Sequence, residues 1–512
     1  VVKIIQNLSN KWYSLPIEKA IPYLLVFTCI ALSLIQFAAN RSLWLDEAAL
    51  ALNILDKSYL GLLKPLADGQ VAPPAFLWIG KFFSQLWPGT DYGLRVWPLI
   101  NYVLATILFL RLSRRILENA YARIFALSLW VFNTQLLYYS SEVKQYMGDV
   151  TICIAILWLV LRHEASSRMY FGSLIVVGII AITLSNVAII VLTATGFYLL
   201  THGYWQTHKK ALIWIGTAWI CTFLIYYTLF VMNHPSKEYM LTFWSNKNGF
   251  LRGSLWNVAF YKDIYNKMIH LIGLYKFDHK INVALGLFAF VGLLAVATRR
   301  HNRSVLLLLV LPLIIHLLLS YLKLYPFFNR LILYTTPLII LLSALGVEKL
   351  INLSFSDLKI NRFRLLAVII PLLILSADSQ LNFPIEKDEI KQSVIYIAKN
   401  KKPSEKVYVY FTANLPVQYY EKQGFLRNTS DWITGTADWS NRTACIDEIL
   451  LLEGKVWLLF SHVREKDKTL LLSALKKNDI LLLDTFETAG SSTYLYDFTT
   501  KITKTTEPVV EN

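Results

Sequence analysis

The chain has 512 residues, of which 55% are hydrophobic, 14% aromatic and only 16% charged, with a mean hydropathy of +0.46. A soluble chain of this size is far more polar, so the composition describes a polytopic α-helical membrane protein. The formal charge of +16 does not describe a nucleic-acid binder, because the basic residues are scattered between apolar runs without an arginine-rich tract or a zinc-finger spacing; the excess reads as topological.

The first apolar run, Ile21 to Ala39, reaches the length of about 20 residues that a membrane-crossing helix needs. It is too long for a signal-peptide core and is expected to remain as an anchor. Directly after it, the segment Arg41 to Ala49 sets two adjacent carboxylates, Asp46 and Glu47, at a membrane face. Two readings stand for this pair. Carboxylates beside apolar surface suit a proton acceptor or a cation-supported site, and acids also favour the first turn of a helix lying at the interface.

Further apolar windows lie near 94–112, 123–139, 147–161, 170–184, 186–201, 211–231, 281–298, 304–322, 329–346 and 364–378. With the first run, near 20–39, these make about eleven spans, several short for a core of roughly 30 Å. Within a first outer loop, 40–93, Leu43 to Leu55 and Ala75 to Trp87 read as helices lying at the interface; the alternative, in which 75–88 crosses the membrane, would invert everything downstream. A cytoplasmic N-terminus puts Arg111, Arg114, Arg115 and Arg123 inside, followed by Arg162 and Arg168, then Lys209 and Lys210, then Arg303 and Lys349. That alternation obeys the positive-inside rule and places Asp46 and Glu47 outside. The outer loop 232–280 is itself basic, but long segments weigh little in the rule.

After Asp378 the texture changes from continuous to alternating. Val407 to Phe411, Val456 to Phe460, Ile480 to Leu483 and Thr493 to Tyr496 read as strands, with helices expected over Asp388 to Asn400, Pro416 to Lys422 and Lys466 to Lys477. The expected organisation is a transmembrane part over 1–379, a small extracytoplasmic α/β domain over 380–498 and a polar tail over 499–512. Cys29, Cys153, Cys221 and Cys445 offer neither a disulfide framework nor a metal-knuckle spacing, and the nine histidines form no close ligand pair. No cofactor is called for, and scattered acids leave a divalent metal open.

Two other outer segments are unusually polar. Tyr138 to Tyr146, Y-Y-S-S-E-V-K-Q-Y, carries Glu142 and Lys144 at membrane depth, where ionisable groups are expensive and point to function unless they merely pair to fix a helical hairpin. Tyr325 to Arg330, Y-P-F-F-N-R, brings Arg330 to the outer interface, where it is either a phosphate fork or an arginine reaching its head to water. Together, outer-face acids, Lys144, Arg330 and the basic loop describe a site for a lipid-linked phosphate beside carboxylates.

The ordered set S-L-W-L-D-E-A, A-P-P-A-F-L-W, D-Y-G-L-R-V-W-P, Y-Y-S-S-E-V-K-Q-Y and Y-P-F-F-N-R resembles the family 39 type of GT-C glycosyltransferases. These are integral membrane enzymes that include protein O-mannosyltransferases and bacterial aminoarabinose and lipopolysaccharide-sugar transferases, and the resemblance runs over nearly the whole chain. It implies a GT-C fold and an inverting transfer of sugar from a polyprenyl-phosphate donor to an acceptor lipid, glycan or protein on the non-cytoplasmic face of a bacterial inner membrane. Membrane lipids are the other expected partners, and no nucleic acid is. The resemblance makes Asp46 the base, with Glu47 and Glu142 as supporting carboxylates. It assigns Lys144 and Arg330 to the donor phosphate, with Tyr146 in the same polar segment and Arg95 and Tyr325 as further contacts. Two positions depart from the pattern: Ala72 stands before the Pro-Pro pair where many relatives have His or Lys, with Asp68 and Gln70 nearby, and Lys144 stands where arginine is usual. A lysine keeps the charge but loses the bidentate geometry. A transporter of lipid-linked sugars would also need such groups, but it predicts charges through the membrane depth and related halves, whereas here no repeat is found and the motifs cluster on one face. An inactive relative that binds a lipid carrier is the other rival. The C-terminal domain, lacking catalytic motifs, is expected to select acceptors.

Overall fold

A computed structural model describes residues 17–162, 168–253, 256–271, 279–298, 303–352, 383–426, 429, 431–439, 441, 442 and 444–500. The expected span near 364–378 and residues 501–512 of the polar tail lie outside the described residues. In chain order the helices are α1 (Ile17–Ala38), α2 (Leu45–Asp56), α3 (Pro74–Leu86), α4 (Asp91–Ile116), α5 (Ala120–Val131), α6 (Thr134–Tyr139), α7 (Tyr146–Val160), α8 (Arg168–Leu184), α9 (Ala188–Thr201) and α10 (Tyr204–Tyr226). They continue with α11 (Lys237–Asn246), α12 (Val258–Leu271), α13 (His279–Thr298), α14 (Arg303–Tyr321), α15 (Thr336–Asn352), α16 (Ile390–Asn400), α17 (Asn414–Lys422), α18 (Cys445–Leu450) and α19 (Glu465–Lys477). Strands β1 (Lys406–Val409), β2 (Trp432–Thr434), β3 (Lys455–Ser461), β4 (Leu481–Thr488) and β5 (Ser491–Asp497) all fall after α16.

The chain divides into two compact units. The first holds residues up to Ala39, Lys57–Gln85 and Leu94–Ile385, and the second holds Asn40–Asp56, Leu86–Gly93 and Glu386–Asn512. The sequence reading kept 40–93 with the membrane part, whereas in the structure 40–56 and 86–93 group with the C-terminal segment.

Four stretches among the described residues are long and apolar enough to cross a bilayer: Ala20–Ala38, Asp91–Ile116, Tyr204–Val231 and Asn329–Asn352. Shorter apolar helices include Ala120–Val131, Tyr146–Val160, Arg168–Leu184 and Ala188–Thr201. The apolar window 123–139 is not one helix. Asn133 breaks it, because its side chain accepts from Leu136 N at 2.9 Å to cap α6 and donates to Leu271 O at 2.9 Å. Polar side chains satisfy one another inside the bundle: Cys29 Sγ donates to Tyr102 Oη at 3.0 Å and Trp130 Nε1 to Thr106 Oγ1 at 3.0 Å. Phe109 stacks on Trp130 at 4.5 Å. Helices α13 and α15 touch backbone to backbone through glycine, since a Cβ on Gly292 would lie 1.9 Å from Leu342 O and one on Gly346 1.9 Å from Phe288 O. Such close approach maximises dispersion where no hydrophobic effect separates helix from lipid.

The second unit is built on a five-stranded sheet in the order β2-β1-β3-β5-β4. β1 pairs in parallel with β2 and β3, while β5 runs antiparallel to β3 and β4. Alternation sends Tyr408, Tyr410, Val456, Leu458 and Phe460 into one core with Ile449, Leu471 and Leu475. The other face buries Val407, Trp457 and Leu459, and Tyr396 of α16 meets Trp457 there at 6.0 Å. Burial on both faces is what a parallel sheet segment needs.

Candidate active site

In the second unit, α2 starts immediately after a tight segment, 40–44, and carries Asp46 and Glu47 in its first turn, where acids complement the helix dipole. Their neighbours separate them. Glu47 is fully buried and is gripped by Arg41 with fork geometry, Nη1 to Oε2 at 2.7 Å and Nη2 to Oε1 at 3.2 Å. Asp46, one residue earlier, is half-buried.

The segment before α2 is tied down at successive residues. Lys391 Nζ donates to Asn40 O at 3.3 Å, and Asn40 takes a left-handed φ of 44°, which asparagine tolerates. Ser42 donates to Glu389 Oε2 through both N and Oγ at 2.9 Å, and Lys391 N donates to Ser42 Oγ at 3.0 Å. Leu43 N donates to Tyr420 Oη at 2.7 Å. Asp91, buried, anchors the other side of these partners: Lys391 Nζ lies 2.6 Å from Oδ2, and Tyr419 Oη donates to Oδ1 at 2.8 Å. Close by, burial and then the charge of Glu389 push the Glu386 carboxyl above its ordinary value.

The first unit carries the cationic candidates. Between α6 and α7 the turn Ser140 to Lys144 is buried and closes with Lys144 N donating to Glu142 O at 2.7 Å. Lys144 Nζ donates to Gln70 Oε1 at 2.7 Å, so the amide two residues before Ala72 meets this lysine. Arg330 is half-buried and lies against two aromatic faces, 5.7 Å from the Tyr146 ring and 5.9 Å from that of Trp244 on α11. Aromatic faces at this distance attract a guanidinium through the ring quadrupole and help to fix its position. The Tyr-Pro-Phe turn ahead of it is pinned by Pro326 O against His316 Nε2 at 3.0 Å and by Phe327 N donating to Gly249 O at 2.8 Å. Tyr325 sits edge-on to His316 at 5.2 Å. Glu142 and Arg95 are almost fully buried.

The structure therefore brings Tyr146 to Arg330 and Lys144 to Gln70 in the first unit, and Asp46 beside the Arg41–Glu47 pair in the second. Sequence reading names Gln70 only as a neighbour of Ala72 and gives no role to Arg41, Glu389, Lys391, Tyr419 or Tyr420. Only Arg41 carried a signal, a cation six residues before an acid at a helix start. Among the described residues no group of three or more His, Cys, Asp or Glu side chains is arranged to hold a metal ion.

No protein-family model and no curated protein matches the sequence. Among solved structures, the chain is similar to the crystal structure of ArnT from Cupriavidus metallidurans in the apo state, with a TM-score of 0.51 at 12% sequence identity, covering 92% of this chain and 97% of that one. The structure of ArnT from Cupriavidus metallidurans bound to undecaprenyl phosphate matches with a TM-score of 0.49 and the same identity and coverage. At this identity the apo likeness speaks of architecture alone, and that architecture is the GT-C fold.

Proposed function

We propose that the protein is an inverting glycosyltransferase of the family 39 type, moving a sugar from a polyprenyl-phosphate donor to an acceptor lipid, glycan or protein. The observation that carries this reading is the GT-C fold over 92% of the chain, with the D-E motif at the start of α2. Asp46 is the base: its carboxylate takes the proton of the acceptor hydroxyl or amine as that group attacks the anomeric carbon and the bond from this carbon to the phosphate oxygen breaks. Glu47, its charge matched by Arg41, supports the turn without competing for that proton, and Glu142 is the second supporting carboxylate. The departing polyprenyl phosphate gains negative charge, which Lys144 and Arg330 stabilise. Tyr146 orients Arg330, and Arg95 and Tyr325 are further donor contacts. No step here is routed through a metal.

In this reading the described spans belong to a multi-pass protein of a bacterial inner membrane, with the N-terminus cytoplasmic and residues 380–498 extracytoplasmic. The test is release of free polyprenyl phosphate from a panel of polyprenyl-phosphate sugars by the purified protein, with and without chelator, wild type against Asp46→Asn. Release that disappears in a folded Asp46→Asn variant is expected; near-normal turnover in that variant removes Asp46 as base, and no release from any donor removes the transferase reading.

A further inference from the structure

The second unit carries a cluster that the reaction above does not use. β1, β2 and β3 are parallel, so their carboxyl ends lie side by side. β1 runs on to Phe411, β2 towards Trp439, and β3 to His462. The space beyond the carboxyl ends of parallel strands is where open α/β sheets take their ligands. Here the His462 ring packs between two tryptophans, 5.3 Å from Trp44 and 6.2 Å from Trp439, and Phe411 meets Trp439 edge-on at 5.4 Å. Trp44 is 5% exposed and Trp439 44%, which gives a buried floor and an open wall.

The polar groups of the cluster are held in place. His462 Nδ1 lies 2.9 Å from Asp388 Oδ2, and Asp388 is buried. The backbone of His462 is left-handed, with φ 56°, and its N–H donates to Gly490 O at 3.2 Å. A non-glycine residue keeps that conformation only where its surroundings over-determine it, a condition that gathers at functional sites. Lys387 Nζ caps the Trp44 ring at 3.0 Å from its centroid, and Trp439 is the more exposed of the two indoles. An exposed indole with a fixed imidazole at its edge matches a pyranose: the C–H face of the sugar covers the indole and the ring-edge hydroxyls bond to imidazole nitrogen. A purely apolar acyl chain would leave the His462–Asp388 dyad desolvated, which is costly.

We propose that Trp439, His462, Phe411 and Trp44, with Asp388 behind the imidazole, form a pyranose subsite for the acceptor glycan. This assignment rests on the transferase reading, because Trp44 lies two residues before Asp46 on the same turn; sugar binding as such does not. The test uses the full chain in a detergent without a sugar headgroup, titrated with methyl α-glucopyranoside, methyl α-mannopyranoside and chitotriose, and read by saturation-transfer NMR and tryptophan fluorescence. At least one of these is expected to bind in the millimolar range, with Trp439→Ala weakening it at least roughly tenfold and Trp439→Phe restoring part of the loss. His462→Asn, which tolerates the left-handed backbone, is expected to weaken it as well. Absence of binding by the whole panel overturns the subsite, as does binding equal to wild type in a folded Trp439→Ala protein. Wild-type release of polyprenyl phosphate is measured alongside: release without saccharide binding removes the subsite alone, and saccharide binding lost in Trp439→Ala without any release removes the transferase reading alone.

Discussion

Arg41→Met tests the premise that Glu47 is a neutralised structural partner of Asp46. The Arg41 and Glu47 side chains are 1% and 0% exposed, and the closest nitrogen-to-oxygen distance is 2.7 Å. Methionine keeps much of the aliphatic stem and removes the fork, so the change isolates the cost of stripping a buried carboxylate of its cation, about 3–5 kcal/mol. In a unit of roughly 150 residues each kcal/mol moves the melting temperature by about 2–4 °C, so the second unit should melt roughly 6–20 °C lower. A protein of two compact units need not unfold in one step. The transition is therefore best followed in detergent by hydrogen exchange of peptides from α2 and β3, which report on the second unit. Arg41→Met with Glu47→Gln should recover most of the loss, because replacing both members of a buried pair is often nearly neutral. A single variant that melts within about 2 °C of wild type, or a double variant as unstable as the single, would refute the argument from an uncompensated buried charge.

Tyr420→Phe removes the acceptor of the Leu43 N–H and should cost about 1–3 kcal/mol, seen as faster amide exchange at 40–44; unchanged exchange there would show that the tyrosine does not hold the turn. Arg330→Lys keeps the charge and loses the planar fork that lies over the Tyr146 and Trp244 rings. Losing one charge-assisted hydrogen bond, worth about 1.5–3 kcal/mol, should raise the donor KM by roughly 10- to 150-fold, and an unchanged donor KM would take Arg330 off the phosphate. In the second unit, Glu487 receives Tyr494 Oη and Lys468 Nζ, and those bonds hold its carboxyl below the ordinary value. A carboxylate with a lowered folded pKa contributes stability that is present above its unfolded pKa and lost as pH falls through the folded one. Glu487→Gln should thus be less stable than wild type at neutral pH, with a gap that shrinks below about pH 4.3; a gap that persists in acid would assign the effect to packing.

What sequence carries well is what periodicity and composition encode. Among the described residues, four of the apolar runs lie in helices long enough to cross a bilayer, and the alternation of Val456 to Phe460 became β3. β2 escaped because it is three residues long and only partly buried, too short for a period to register. β4 runs on to Thr488 beyond the expected Leu483, its leucines exposed rather than inward. The window 123–139 averaged the polar Asn133-Thr134-Gln135 into its apolar flanks, although an asparagine able to cap the next helix is a legible stop. The site was legible only where a motif is local. Asp46 and Glu47 are adjacent, and Glu142, Lys144 and Tyr146 share one turn. The partners that hold them lie far off in sequence: Gln70 is 74 residues from Lys144, and Glu389 is 347 residues from Ser42. No local pattern announces a pairing of that kind.

That distance changes how the C-terminal segment has to be understood. Read from its lack of motifs, it is an accessory that chooses acceptors, and its removal should change acceptor choice more than donor turnover. The hydrogen bonds argue otherwise. Glu389 takes both donors of Ser42, Lys391 reaches Asn40 and Asp91, and Tyr420 accepts from Leu43, so the backbone entering α2 is held largely by residues beyond 386. Cutting the chain there would release the turn before Asp46 and would also strip the buried Asp91 carboxylate of Lys391 and Tyr419. In the proposed reading, a truncation would therefore abolish donor and acceptor steps together and say nothing about which of them the segment serves. In the proposed reading, a single change at Trp439 tests acceptor binding while the bonds from Glu389, Lys391 and Tyr420 to residues 40–43 stay in place.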